Sequence, residues 1–114
     1  MATSAAAPRT HAELLEAIAQ LVDEQPSLTA QHFPIVTGSW SKGWPDLVIV
    51  GPGGVLWREV KTARDRLSAQ QWDWSRRLLL SGQDWAVWRP ADYPETIREQ
   101  LSQLAQIGNR NSPS

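Results

Sequence analysis

The sequence contains no cysteine. This absence excludes a disulfide framework, a thiolate metal site and covalent cysteine chemistry. No apolar run in the chain approaches the ~20 residues that a membrane span requires, and residues 1–9 are alanine-rich but too short and too interrupted for a secretory signal. We therefore expect a soluble, cytoplasmic protein with no membrane partner.

The chain also lacks a strong net charge. Its formal charge of −1 argues against a protein that merely coats nucleic acid. Between residues 58 and 77, however, six positive and three negative side chains give a local charge of +3. Charge alone fits two interpretations of this stretch: contact with phosphates, or a solvated helix face with pairs such as Asp73–Arg77. The two histidines, His11 and His32, are isolated and are not expected to act as ligands or general bases.

Length and periodicity predict one domain over residues 10–107 with disordered tails at 1–9 and 108–114. Apolar spacing predicts helices over about 10–24, 68–82 and 93–107, and strands over about 33–37, 47–50, 55–60 and 84–89. The last two strands should be parallel, because a helix crosses over between them. The predicted fold class is α/β, with a central mixed four-stranded sheet flanked by helices. Of the tryptophans, we expect Trp57, Trp72, Trp85 and Trp88 in packing, and Trp40 and Trp44 more exposed on a loop.

Residues 43–61 read as a β-hairpin around which the chain is organised. Two apolar strands flank the turn residues Gly51-Pro52-Gly53-Gly54, and a four-residue turn joining Val50 to Val55 gives partners whose numbers sum to 105. In that register Asp46 lies opposite Glu59. Lys61 shares the face of Glu59, whereas Val60 points the other way and leaves its carbonyl near the site.

Directly opposed carboxylates destabilise a sheet by roughly 0.2–1 kcal/mol. A divalent cation between Asp46 and Glu59 removes this cost, and two carboxylates with a backbone carbonyl suit Mg²⁺ or Mn²⁺. Lys61 is placed to polarise a bound water or to neutralise charge on a phosphate. The alternative is purely structural: Asp46 caps the turn after Pro45, and Glu59 and Lys61 form a surface pair on an edge strand.

Two further candidate residues, the acid Glu13 and the amide Gln71, have structural explanations of their own. Thr10 with Glu13, and Ser68 with Gln71, have the spacing of capping boxes at the starts of helices. Candidate phosphate contacts are Ser41 and Lys42 in the loop before the motif and Arg64 and Arg66 in the basic stretch, although small polar residues in a loop are usually only loop.

The motif resembles a known family. Gly43-Trp44-Pro45-Asp46-Leu47, Arg58-Glu59-Val60-Lys61 and Leu67-Ser68 followed by Gln71-Trp72 are together similar to the VRR-NUC branch of the PD-(D/E)XK nucleases, small stand-alone enzymes of bacteriophages and bacteria. Trp88-Arg89-Pro90 and Asp92 are similar to the closing strand and turn of many members. The resemblance covers residues 10–104, almost the whole chain.

The resemblance implies a restriction-endonuclease-like αβββαβ core and a metal-dependent DNA endonuclease. It implies that Lys61 activates water or stabilises the transition state and that Gln71 reaches back to the site. The implied ligands of Mg²⁺ or Mn²⁺ are Asp46, Glu59, the Val60 carbonyl and an acid of the first helix, assigned to Glu13 with Glu16 as the other candidate.

The family also suggests selective cutting of branched DNA such as Holliday junctions, by a homodimer. An alternative from another class is a non-catalytic module that binds nucleic acid or protein on a nuclease-like fold. A third interpretation, a restriction-type enzyme, requires an element that reads base edges, and the chain has no separate domain to supply one.

Overall fold

The structure is a computed structural model that describes residues 7–33 and 42–106. The predicted tails, apart from residues 7–9, lie outside these ranges, as do Trp40, Ser41 and all but Phe33 of the strand predicted over 33–37. The described chain forms an α/β domain in which one four-stranded sheet is flanked by helices. None of its helices is long and apolar enough to cross a membrane.

The sheet has the order β1-β2-β3-β4, formed by Thr29–His32, Leu47–Gly51, Gly54–Val60 and Asp84–Trp88. The first two pairings are antiparallel, whereas β3 and β4 are parallel. These pairings confirm the predicted mixed sheet. The parallel pairing of β3 and β4 is possible because a helix connects the end of β3 to the start of β4.

The hairpin register is the predicted one. Val50 pairs with Val55 and Leu47 with Arg58, so the partners' numbers sum to 105 throughout. Gly51 and Gly54 belong to the strands, which shortens the turn to Pro52 and Gly53. The close packing of this turn on the end of the last helix also requires small residues, since a Cβ at Gly51 would lie 2.8 Å from the carbonyl oxygen of Leu104.

The first strand begins earlier than predicted. A first strand predicted over 33–37 leaves residues 27–32 as a connection, yet Thr29–His32 pairs with β2, with Ala30 opposite Ile49. Three of its four side chains are exposed, so the segment lacks the apolar alternation by which a strand is recognised. It is an edge strand held by backbone pairing. Phe33 extends the contact by one residue, because its N–H donates to the carbonyl of Asp46 at 2.8 Å.

Three helices pack on the sheet: α1 (His11–Asp23), α2 (Ala69–Leu80) and α3 (Glu95–Leu104), the last preceded by a 3₁₀ turn over Pro90–Asp92. Both predicted capping boxes are present, Thr10 with Glu13 and Ser68 with Gln71. Each begins its helix with a side-chain acceptor for an N–H group that has no intrahelical partner.

Side-chain alternation along β3 divides the molecule into two sides. Leu56 and Val60 join a core that also contains side chains of α1, α3 and neighbouring strands, namely Leu14, Ile18, Ile49, Trp88, Ile97 and Leu101. Glu59, out of phase with these residues, instead meets α2 on the other side through Gln71. The site therefore lies against α2.

The tryptophan predictions were correct in part. Trp88 is 1% exposed and belongs to the core. Trp44, expected on an exposed loop, is half-buried, and Trp72, expected in packing, is 61% exposed. Helix phase explains the second error, because Ser75 and Leu78 are the buried residues of α2 and Trp72 lies off their stripe.

Candidate active site

Aromatic packing positions the segment that carries Asp46. Trp44 makes edge-on contacts with the rings of Phe33, Trp57 and Trp74, with centroids 6.0, 5.3 and 4.8 Å away. These contacts join the segment to β3 and α2, and each such pair contributes about 0.5–1.5 kcal/mol beyond its buried area. Pro45 is fully buried behind Trp44. The backbone is thus fixed immediately before Asp46.

Gly43 permits the close approach of this segment to α2. Its φ of 83° lies in the left-handed region that favours glycine. A Cβ at this position would meet the backbone of Gln70 and Gln71. The glycine therefore lets the Asp46 segment lie directly against the first turn of α2.

Asp46 immediately precedes β2, and its side chain reaches the last residue of β3. Its Oδ2 accepts a hydrogen bond from the N–H of Val60 at 2.9 Å. The same oxygen lies 3.4 Å from Nε2 of His11, the first residue of α1. Three elements therefore converge on one carboxylate oxygen.

Glu59 is a buried carboxyl with one unsatisfied oxygen. The residue is 3% exposed. Its Oε2 accepts a hydrogen bond from Nε2 of Gln71 at 2.7 Å, whereas Oε1 is buried and has no hydrogen-bond partner within the described chain. Burial, the negative charge of Asp46 and a hydrogen bond to the Asp46 side chain together raise the pKa of Glu59 to about 8, and the positive charge of Lys61 opposes the shift.

Gln71 performs both of the functions that the sequence left in competition. Its Oε1 accepts from the N–H of Ser68 at 2.8 Å, which completes the capping box. Its Nε2 donates to Glu59. An amide has a separate acceptor and donor, so one side chain starts the helix and also orients the carboxylate.

Lys61 and Val60 continue β3 beyond Glu59. The N–H of Lys61 donates to the carbonyl of Trp88 at 3.0 Å, which fixes its backbone against β4. Its ammonium group is close enough to lower the pKa of Glu59. The side chain of Val60 is buried in the core, and its N–H is the group that holds Asp46.

The structure does not bring Glu13 to these residues. Its Oε1 accepts hydrogen bonds from the N–H groups of Arg9 at 2.9 Å and Thr10 at 3.2 Å, and these bonds lower its pKa. Glu13 follows His11 by two residues, about 200° around the helix, so it points away when His11 faces Asp46. Glu16 is exposed and lies about 140° from His11.

His11 is the site residue that sequence reasoning missed. It was regarded as isolated, but it precedes Leu14 by three residues and Ile18 by seven, and so lies within about 60° of both on the helix. Leu14 and Ile18 are both buried. The detectable signal was therefore a polar residue that continues the apolar stripe of α1 by one turn.

The described residues among the predicted phosphate contacts lie on the surface of the molecule. Lys42, Arg64 and Arg66 are exposed, and Ser41 lies outside the described ranges. Arg89, which the sequence did not single out, holds the connection that carries Arg64 and Arg66. Its Nη1 donates to the carbonyls of Thr62 at 2.7 Å and Asp65 at 2.8 Å. The basic residues are therefore displayed on a fixed segment.

The donors around Asp46 and Glu59 suit the kind of cation that the motif implies. Over residues 7–33 and 42–106, no three His, Cys, Asp or Glu side chains are already grouped to hold a metal ion. Two acids are nevertheless adjacent, one oxygen of Glu59 is buried without a partner, and each acid is oriented by a donor on its other side. Oxygen donors of this kind suit a hard divalent cation. The residues fit such an ion, with Asp46 and Glu59 as its carboxylate ligands.

Comparisons with family models, curated proteins and solved structures give no match to this chain. Functional inference therefore depends on the motif and on the geometry given above.

Proposed function

We propose that the chain is a metal-dependent DNA endonuclease of the VRR-NUC type, with a restriction-endonuclease-like core. The observation that carries the proposal is the convergence of Asp46 and Glu59 at the ends of paired strands, where Glu59 is buried with an unsatisfied oxygen. A purely structural role leaves Oε1 of Glu59 buried without a partner, at a cost of about 1–3 kcal/mol. A bound cation would remove that cost.

The chain's own residues have separable tasks in this proposal. Asp46 and Glu59 hold Mg²⁺ or Mn²⁺, with the Val60 carbonyl as the further ligand expected from the motif. Such an ion supplies an activated water and charge neutralisation at the scissile phosphate. Gln71 keeps Glu59 in one orientation through the 2.7 Å hydrogen bond, and Lys61 offers an ammonium group to the charge that develops on phosphate oxygens.

The substrate in this proposal is DNA, and branched DNA is the preferred form that the family resemblance suggests. Lys42, Arg64 and Arg66 are exposed cations at the ends of segments that adjoin the acids, which suits contact with the backbone phosphates. A homodimer acting in the cytoplasm completes the proposal.

The test is a cleavage panel. Linear duplex and four-way branched DNA are incubated with the protein in Mg²⁺, Mn²⁺ or EDTA, and the products are resolved on denaturing gels. We expect products only with metal, and more from the branched substrate. Sedimentation of the same sample counts the subunits.

Variants of the motif separate binding of the ion from chemistry. Lys61→Ala should retain Mn²⁺ binding and lose cleavage, whereas Asp46→Ala should lose both. Glu99→Gln, an exposed change on α3, serves as the matched control and should behave as the wild type. Binding of DNA without metal-dependent products would favour a non-catalytic module, and unchanged cutting by Lys61→Ala would remove that residue's assigned role.

A further inference from the structure

His11 lies where it can take part in the candidate metal site. Its Nε2 is 3.4 Å from Oδ2 of Asp46, and its side chain is 43% exposed. The capping box of Thr10 and Glu13 fixes the start of α1, and Leu14 packs the next turn on the sheet. The position of the imidazole therefore follows from the placement of the whole helix.

The contact between the two side chains is long. An N–H···O hydrogen bond has a typical length of about 2.9–3.0 Å, so a 3.4 Å contact is a weak one. Oδ2 of Asp46 already accepts a short hydrogen bond from Val60. The histidine contact is thus dispensable for orienting Asp46, and it leaves an imidazole nitrogen beside a carboxylate of the candidate metal site.

We propose that His11 supplies, through Nε2, a nitrogen ligand to the divalent cation held by Asp46 and Glu59. This inference rests on the proposed function and deepens it, because it defines the donor set of the same site. The first helix then contributes an imidazole, and Glu13 remains a capping residue. Within the described residues the side chains of His11, Asp46 and Glu59 are not yet grouped around an ion, so binding would bring them together and the centre would have mixed nitrogen and oxygen ligands.

A mixed donor set has a consequence for metal selectivity. Imidazole nitrogen binds Co²⁺ and Ni²⁺ well and contributes little to the binding of Mg²⁺, which prefers oxygen. Removal of His11 should therefore weaken binding in the order Ni²⁺ and Co²⁺ most, Mn²⁺ less and Mg²⁺ least. A histidine that merely hydrogen-bonds to Asp46 would affect all four ions to a similar extent.

The experiment uses the full chain with metal salts alone. Isothermal titration of the metal-free protein gives the affinity for each ion in the wild type and in His11→Ala, and His11→Glu tests whether a carboxylate at this position shifts the preference from Ni²⁺ towards Mg²⁺. We expect His11→Ala to lose about tenfold or more for Ni²⁺ and less than about threefold for Mg²⁺. Circular dichroism verifies that each variant is folded.

A spectroscopic measurement identifies the ligand directly. Electron spin echo envelope modulation of bound Mn²⁺ detects a coordinated ¹⁴N nucleus. The chain has two histidines, so His32→Ala is the matched control. We expect the ¹⁴N signal in the wild type and in His32→Ala, and its loss in His11→Ala.

The outcomes distinguish this inference from the function on which it rests. Binding of Mn²⁺ that requires Asp46 but shows no ¹⁴N signal, or an equal loss for all ions in His11→Ala, overturns the role of His11 and leaves the nuclease proposal intact. Failure of every ion to bind overturns both.

Discussion

Replacement of Glu59 by glutamine should stabilise the metal-free protein while it abolishes metal binding. The pKa of Glu59 is raised from 4.5 to about 8, chiefly by burial and then by the charge of Asp46. Glutamine has nearly the same shape, retains an oxygen acceptor for Gln71 and has no charge to desolvate. The variant thus removes the unfavourable ionisation and preserves the packing.

The magnitude and its pH dependence follow from the raised pKa. Below pH 4.5 both the folded and the unfolded state carry the proton. Between pH 4.5 and 8 the unfolded chain releases its proton and the folded chain keeps it, so the stability contributed by this group is lost as the pH rises through that window. At about 1.4 kcal/mol per pKa unit the shift sets an upper limit of about 5 kcal/mol. Solvent screening and relaxation reduce it, and we expect about 2–3 kcal/mol above pH 8.

The assay is urea unfolding in EDTA at pH 4.5, 6.5 and 8.5, followed by tryptophan fluorescence. The advantage of Glu59→Gln over the wild type should grow with pH and then level off, whereas Glu99→Gln, at an exposed position, should show no such trend. Added Mn²⁺ should stabilise the wild type at pH 8.5 and leave Glu59→Gln unchanged. A difference between the two proteins that is the same at all three pH values would refute the reasoning.

Three other changes test the supporting structure. Gly43→Ala places a Cβ against the backbone of Gln70 and should lower the free energy of unfolding by about 1–3 kcal/mol. It should also weaken Mn²⁺ binding, because α2 shifts relative to the acids. A melting temperature and an Mn²⁺ affinity equal to those of the wild type would contradict this. Arg58 is 2% exposed and donates to Asp84 at 3.0 Å. Arg58→Lys should lower the free energy of unfolding in urea by about 2–3 kcal/mol, since lysine cannot reproduce the paired donors of the guanidinium group. An unchanged urea midpoint would show that these paired donors do not stabilise the fold. Ser68→Ala removes a helix cap and should lower the unfolding free energy by about 1 kcal/mol with Mn²⁺ affinity almost unchanged; a large loss of affinity would show that the cap contributes to the site.

The hairpin was predictable because its determinants are local. Turn residues at 51–54 stand between two strand-like runs, and alternation along a strand then fixes which side chains face each other. The opposition of Asp46 and Glu59 followed from the position of the turn alone. The starts of α1 and α2 were likewise predicted by their capping boxes, which are local patterns of four residues.

Other features depend on tertiary placement and leave little trace in the sequence. Strand β1 (Thr29–His32) has mostly exposed side chains and exists through its pairing with β2, so its apolar pattern is weak. The exposure of Trp72 and the approach of His11 to Asp46 depend on the rotation of their helices against the sheet. Helix propensity does not determine that rotation. The apolar stripe formed by Leu14 and Ile18 indicates only which face of α1 turns towards the sheet.

Because Gln71 both caps α2 and donates to Glu59, the orientation of Glu59 depends on the first turn of α2 staying closed. First turns of helices separate and re-form far more often than a whole domain unfolds, and each such excursion of α2 would carry the amide away from Glu59. The carboxylate would then be free to turn, and the ligand geometry would be lost until the turn closed again. In the proposed metal site, the dwell time of a bound ion would therefore depend in part on a few backbone hydrogen bonds at residues 68–72.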